Sequence, residues 1–191
     1  MPRNIEIKAA VRDRRTLLAR AKALWGSPQR LEQEDLFFPC PNGRLKLRVQ
    51  VPGPSYLIAY SRPDARGPKT SRYSTAVAPE PKALAACLRS ALETGRTVVK
   101  TRLLFLAGRT RIHVDSVRGL GDFLELEVVL RPGEGAAAGR AEARRLMGEL
   151  GVRPSDLLVG AYADLPSTRT TRVPAKRSCQ PRPSFSHQAH R

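Results

Sequence analysis

Arg44-Leu45-Lys46-Leu47-Arg48-Val49 alternates a base with an aliphatic residue over its whole length. Successive side chains of a strand project to opposite faces, so Arg44, Lys46 and Arg48 share one face and Leu45, Leu47 and Val49 the other. The pattern recurs on both sides of this stretch. Asn4-Ile5-Glu6-Ile7-Lys8 sets Glu6 and Lys8 opposite Ile5 and Ile7, and Lys100-Thr101-Arg102 places two bases two apart. Arg109-Thr110-Arg111-Ile112-His113-Val114-Asp115 gathers ionisable groups on one face, and Phe123-Leu124-Glu125-Leu126-Glu127-Val128 gathers two carboxylates.

Any one such strand reads equally well as the solvated face of a sandwich. Five together read differently. Like charges stacked along a strand repel, and solubility alone is a weak reason to build them. The signs also separate: bases dominate 44–48 and 100–102, acids 125–127. A sheet closed with these faces inward has a lumen with a cationic and an anionic side. Its apolar outer faces then need cover.

Period-2 alternation predicts strands near 3–10, 31–38, 44–51, 56–62, 71–77, 97–106, 109–116 and 122–130. Turn residues separate several of them, at Pro41-Asn42-Gly43, Pro52-Gly53-Pro54, Ala107-Gly108 and Gly119-Leu120-Gly121. A helix is predicted at 14–25, capped by Asp13, stopped by Gly26, with Leu17, Ala21, Leu24 and Trp25 on one face as core. A second is predicted at 80–94, opened by Pro79 and Pro81, with Leu84, Leu88, Ala91 and Leu92 inward and Gly95 closing it. A third runs over 136–150 to Gly151. The expected fold is α+β: a closed eight-stranded antiparallel β-barrel with helices packed outside.

Residues 1–166 read as the folded unit. From 167 to 191 the chain turns to Ser, Thr, Pro, Gln and base, with six basic residues and no acid, and is expected to be disordered. The net charge is +17; the other 28 basic residues face all 17 acids, so the body alone stands at +11. A basic body wants an anionic partner. No apolar run is long enough to span a bilayer, so no membrane is expected as a partner. No signal-peptide core precedes the first strand, and a cytoplasmic location is expected. Cys40, Cys87 and Cys179 lack metal-type spacing, and the first two are read as small buried residues. An exposed barrel face leaves a homodimer open.

A lumen of this kind suits a polyphosphate with a metal. Lysines and arginines neutralise phosphate oxygens through charge-assisted hydrogen bonds. Carboxylates hold hard divalent cations such as Mg²⁺ or Mn²⁺. Nucleic acid fits less well. Aromatics make up only 5% of the chain, and the bases alternate with leucines along strands, so nucleic acid is left to the basic tail. His113 is read as a structural hydrogen bonder.

In this order these segments resemble the CYTH family, the triphosphate tunnel metalloenzymes, which includes class IV adenylyl cyclases and thiamine triphosphatases. The resemblance covers most of 3–165. It also takes in Gln33-Glu34-Asp35-Leu36-Phe37-Phe38, Tyr60-Ser61-Arg62-Pro63-Asp64 and Tyr162-Ala163-Asp164-Leu165, and leans to the cyclase-type branch. It implies a triphosphate tunnel in which Lys8, Lys46, Arg48, Arg62, Lys100 and Arg102 contact the triphosphate. Glu6, Asp115, Glu125 and Glu127 would hold the metal, and Glu6, Lys8 and Asp115 would be catalytic. Arg44 and Arg111 share these faces and are left to the tunnel mouth. The implied activity is metal-dependent phosphohydrolysis or cyclisation of a nucleoside or inorganic triphosphate. One departure stands out: the family signature Glu-x-Glu-x-Lys opens here with Asn4, a neutral oxygen donor where a carboxylate is expected. That keeps a second function in view, a catalytically weak or inactive module that binds polyphosphate or nucleotide.

Overall fold

The structure, a computed structural model, describes residues 1–166; the expectation for 167–191 lies outside them. β1 (Arg3–Ala10) is followed by α1 (Arg14–Trp25) and then by β2 (Gln29–Phe38), β3 (Arg44–Val51), β4 (Tyr56–Ser61) and β5 (Lys69–Val77). α2 (Pro81–Ala91) leads into β6 (Thr97–Ala107), β7 (Thr110–Val117), β8 (Gly121–Val129) and α3 (Ala136–Leu150). Two single 3-10 turns, Pro154–Asp156 and Tyr162–Asp164, follow. The strands close in the order β1-β5-β4-β3-β2-β6-β7-β8, every neighbour antiparallel. The fold is α+β, a closed eight-stranded barrel with its three helices outside, as the alternation predicts.

Most of the apolar core lies outside the barrel wall. Ile7, Ala9, Phe105, Ile112, Val114, Leu124 and Leu126 point outward from β1, β6, β7 and β8 and are buried under Leu17 and Ala21 of α1 and Leu146, Met147 and Leu150 of α3. Leu36, Phe38 and Leu47 of β2 and β3 pack with Ala85 and the half-buried Leu84 and Leu88 of α2. Burying each such side chain contributes ~1.5–3 kcal/mol. The outer face of β5 carries Arg72, Ser74 and Ala76, and these stay exposed.

Local signals act largely as read. The Asp13 carboxylate accepts from the Thr16 amide (3.1 Å) and hydroxyl (2.6 Å), which caps α1. Gly26 ends it at φ 75°, a conformation favoured by glycine. Four expectations are corrected. Leu24 is 50% exposed, because α1 turns only Leu17 and Ala21 fully inward. Ala91 and Leu92, expected inward, are exposed at the end of α2. Cys87 is exposed, on the face of α2 away from the barrel, and Cys40 is only half-buried. Gly95 does not close α2, which ends with Leu92 as its C-cap. Gly95 instead lies against β2: its amide donates to the Phe37 carbonyl (2.9 Å), and a Cβ there would sit 2.9 Å from that oxygen.

Gly139 sets how closely α3 approaches β1. A Cβ on it would lie 2.6 Å from Cγ1 of Ile5 and 2.7 Å from Cδ2 of Leu130. Gly139→Ala should therefore cost about 1–3 kcal/mol of overpacking, despite alanine's better helix propensity. Gly148→Ala, where the same atom meets open space, should gain up to about 1 kcal/mol. Urea denaturation of the two variants checks both signs.

Candidate active site

The inward faces enclose a cavity of about 760 Å³. Its open end is ringed by Pro2, Gln29 and the Pro52-Gly53-Pro54 turn. The other end is stopped by an apolar plug of Val98, Val117, Phe123 and Tyr162, with the Phe123 and Tyr162 rings 5.0 Å apart. Phe123 and Tyr162 are almost fully buried there.

Charge divides by strand around the lumen. A basic arc runs from Arg62, just past β4, along β3 and β6, carrying Lys46, Arg48, Lys100 and Arg102. An acidic arc runs along β7, β8 and β1, where His113, Glu125, Glu127 and Glu6 meet. The pairings Lys8↔Glu125, Glu6↔Glu127 and His113↔Glu125 hold that arc in register.

Two deeply buried carboxylates hold the bases apart. Asp35, 1% exposed, accepts both Nε and Nη2 of Arg48 at 2.7 Å and Nζ of Lys46 at 3.1 Å, with Lys100 Nζ at 3.6 Å. Asp115, 0% exposed, accepts Arg102 Nε and Nη2 at 2.7 and 2.6 Å and the Tyr162 hydroxyl at 3.1 Å, with Lys100 Nζ at 3.3 Å. Burial pushes both carboxyls up, but the surrounding cations outweigh it. Arg48, Lys46 and Lys100 hold Asp35 well below the usual range, and Arg102 and Lys100 do the same for Asp115. Both oxygens of Asp115 are thus committed. It lies behind Arg102, at the position where the family resemblance implies a metal ligand.

Lys8 lies 3.1 Å from Glu125 and 3.6 Å above the Tyr162 ring. Arg62 gives Nε to Glu6 (2.9 Å) and Nη2 to the Gly160 carbonyl (2.8 Å), while its buried Nη1 has no hydrogen-bond partner. Arg102 also reaches Glu125 (2.7 Å), and Arg111 reaches Glu127 (2.9 Å). Arg44 binds Asp64 and Asp164 beside the plugged end, while Arg111 lines the lumen wall.

Burial opposes the charge of Glu125, yet Lys8, then Arg102 and Lys100, hold it well below the ordinary value. Glu6 moves the other way: burial and the neighbouring Glu125 and Glu127 raise it against the pull of Arg62. Crowded carboxylates of this kind favour a bound cation. His113, expected to be a structural hydrogen bonder, lines the same arc. It is 4% exposed, and its Nδ1 has no hydrogen-bond partner. Nδ1 instead faces Glu125 at 3.7 Å and Glu127 at 3.9 Å. Burial, then Arg102, lowers its pKa.

Sequence reasoning passed over Asp35, Tyr162 and Lys69. Asp35 sits in Glu34-Asp35-Leu36, on a strand with polar residues on both faces, so alternation did not say which way it points. Lys69 is buried near Arg62, Glu6 and Lys8 but precedes the predicted start of its strand. Tyr162 carried no signal beyond its place in the motif.

The CYTH domain profile matches residues 2–162, and the chain belongs to that family. Solved structures agree on the fold. The PH1012 protein of Pyrococcus horikoshii shares 23% identity at a TM-score of 0.73, with 85% of this chain and 98% of that one covered. A candidate adenylate cyclase of Vibrio parahaemolyticus shares 20% at 0.69, covering 83% and 94%. The Hippeastrum protein HpAC1, a candidate adenylyl cyclase with a dominant triphosphatase activity, shares 12% at 0.58, covering 84% and 91%. No curated protein matches the chain by sequence. Among the described residues no helix is long and apolar enough to cross a membrane.

Lys46 offers a test of the basic arc. Burial, then the nearness of Arg48 and Lys100, brings its ammonium from 10.5 down to about 7, Asp35 notwithstanding. Below about pH 7 both folded and unfolded chains carry the charge, and the fold bears its full desolvation. Between there and 10.5 only the unfolded chain stays protonated, so this group makes stability rise with pH. Lys46→Met should raise the Tm of the unliganded protein by about 3 °C or more below neutral pH. The gain should shrink as pH approaches 10.5, the unshifted lysine value. Thermal melts across pH check the sign.

Proposed function

We propose that the protein is a divalent-metal-dependent enzyme, using Mg²⁺ or Mn²⁺, that hydrolyses a nucleoside or inorganic triphosphate bound in the tunnel. The observation that carries this reading is the division of one lumen into a basic and an acidic arc. Its lining holds seven lysines and arginines against four carboxylates, an excess suited to a polyphosphate. Lys46, Arg48, Lys100 and Arg102 face the phosphate oxygens from one side. Lys8 approaches from β1, and Arg62, whose Nη1 makes no hydrogen bond and lies 3.9 Å from Asp64, adds a further cation. These cations neutralise the charge that grows on the leaving oxygen as water displaces the terminal phosphoryl group. Asp35 and Asp115 orient them, so little reorganisation accompanies the reaction.

The residues present fit a metal. The buried Nδ1 of His113 and Oδ1 of Asn4 both lack hydrogen-bond partners. Glu125 and Glu127, with Glu6 across the β1–β8 pairing, would hold the ion. Bound there, it would screen phosphate charge and lower the pKa of a coordinated water. The tyrosine and leucines near the open end, Tyr56, Leu31 and Leu104, favour a second reading. They could take a purine, which would let the ribose 3′-hydroxyl of ATP attack the α-phosphorus and expel pyrophosphate, as in a class IV cyclase.

The test incubates the full chain and Glu125→Gln with Mg²⁺ or Mn²⁺ and ATP, GTP, thiamine triphosphate or inorganic triphosphate. Orthophosphate is the expected product, with a loss of about 100-fold or more in the variant. Cyclic AMP with pyrophosphate would select the cyclase reading. Tight triphosphate binding without any product would make the tunnel a receptor and Asn4 the mark of lost catalysis.

A further inference from the structure

His113 enters the acidic arc in a way the phosphate chemistry does not use. It projects inward from β7, directly across from Glu125 in the β7–β8 pairing. Its Nδ1 is sealed from solvent and without a hydrogen bond. The separations to Glu125 Oε2 and Glu127 Oε1, 3.7 and 3.9 Å, are too long for hydrogen bonds. They fall within the roughly 4.4 Å that can separate two donors of one ion held at first-row bond lengths of about 2.0–2.2 Å, and a modest inward turn of the carboxylates would bring them together. All three donor atoms lie within 4.8 Å of one another.

The surroundings orient this set. Arg111 holds Oε2 of Glu127, leaving Oε1 turned towards the imidazole. Lys8 takes Oε1 of Glu125, and Arg102 shares its Oε2. A neutral imidazole offers a lone pair, and here two carboxylates face it. Imidazole is a softer donor than carboxylate oxygen. Mg²⁺ is hard and keeps to oxygen, whereas first-row transition ions accept nitrogen readily.

We propose that His113 is a direct nitrogen ligand which, with Glu125 and Glu127, forms a mixed imidazole–carboxylate site that selects Mn²⁺ over Mg²⁺. The inference rests on the metal-dependent reading above and deepens it by naming the ligand that sets metal choice. Asn4 becomes less of a defect, because a nitrogen ligand on β7 supplies a donor that the β1 signature does not.

The experiment uses metal-free full-length protein. Mn²⁺ is titrated against it by continuous-wave EPR, where bound ion loses the free-ion signal, and Mg²⁺ is then added as competitor. Pulsed EPR of the bound Mn²⁺ reads ¹⁴N coupling from a coordinated imidazole. The wild type should bind Mn²⁺ with ¹⁴N coupling, and displacement should need at least a tenfold excess of Mg²⁺. The other histidines of the chain are His187 and His190. The double variant His187→Ala/His190→Ala should keep the coupling, which places its source at His113. His113→Gln, with an amide oxygen in reach, should lose the coupling and about tenfold of the preference for Mn²⁺. The wild-type spectrum and the double variant decide the question even if His113→Gln fails to fold. Bound Mn²⁺ without nitrogen coupling, or coupling lost with the tail histidines, overturns the ligand while leaving the metal-dependent reading standing. Folded wild type that binds no Mn²⁺ overturns both.

Discussion

The ion pairs of Asp35 and Asp115 are the interaction on which the barrel's interior depends. Four cations, Lys46, Arg48, Lys100 and Arg102, line one cavity. Without carboxylates among them they would repel one another at short range. Asp35 gathers three of them and Asp115 two, with Lys100 shared. Both carboxylates form bidentate pairs with an arginine, the arrangement best able to offset desolvation. The guanidinium and ammonium groups are thereby held ready for an anion rather than free to swing.

That interior dictates the exterior. With the lumen polar, the aliphatic half of each alternating strand faces out and needs a second layer. α1 and α3 supply it for β1, β6, β7 and β8, and α2 for β2 and β3. β5 carries a polar outer face and does without. Gly139 is where this layer comes closest to the wall, because Ile5 and Leu130 occupy the space a larger residue would need. The plug around Tyr162 links the two systems: its ring closes one end among Val98, Val117 and Phe123, and its hydroxyl bonds to Asp115. The residue that stops the tunnel also completes the ion-pair network.

The lumen is arranged for binding at the expense of stability. Lys46 is held where burial and neighbouring cations disfavour its charge. Glu6 is raised by burial and by the carboxylates beside it. On the proposed function, both conditions would ease if a polyphosphate and a cation entered together, one meeting the basic arc and the other the acidic. Fold stability and ligand capture draw on the same charges.

The sequence by itself determined the strands, their inward faces and the sorting of charge by sign, because alternation is a local, two-residue property that a pleated backbone imposes. Lys8, Lys46, Arg48, Lys100, Arg102, Glu6, Glu125 and Glu127 could all be placed on inward faces that way, and Arg62 came from the resemblance. It also marked Asp13 and Gly26 as the limits of α1. Only the tertiary structure decided which charges neutralise which. Asp35 was unreadable on a strand with polar residues on both faces, and the motif around Asp115 did not show that Arg102, Lys100 and Tyr162 surround it. Nor did alternation show that the nitrogen of His113 faces two carboxylates. These assignments depend on which strands become neighbours when the sheet closes and on how deep each side chain lies. Ion pairing and desolvation act through space between residues far apart in the chain, so no local pattern encodes them.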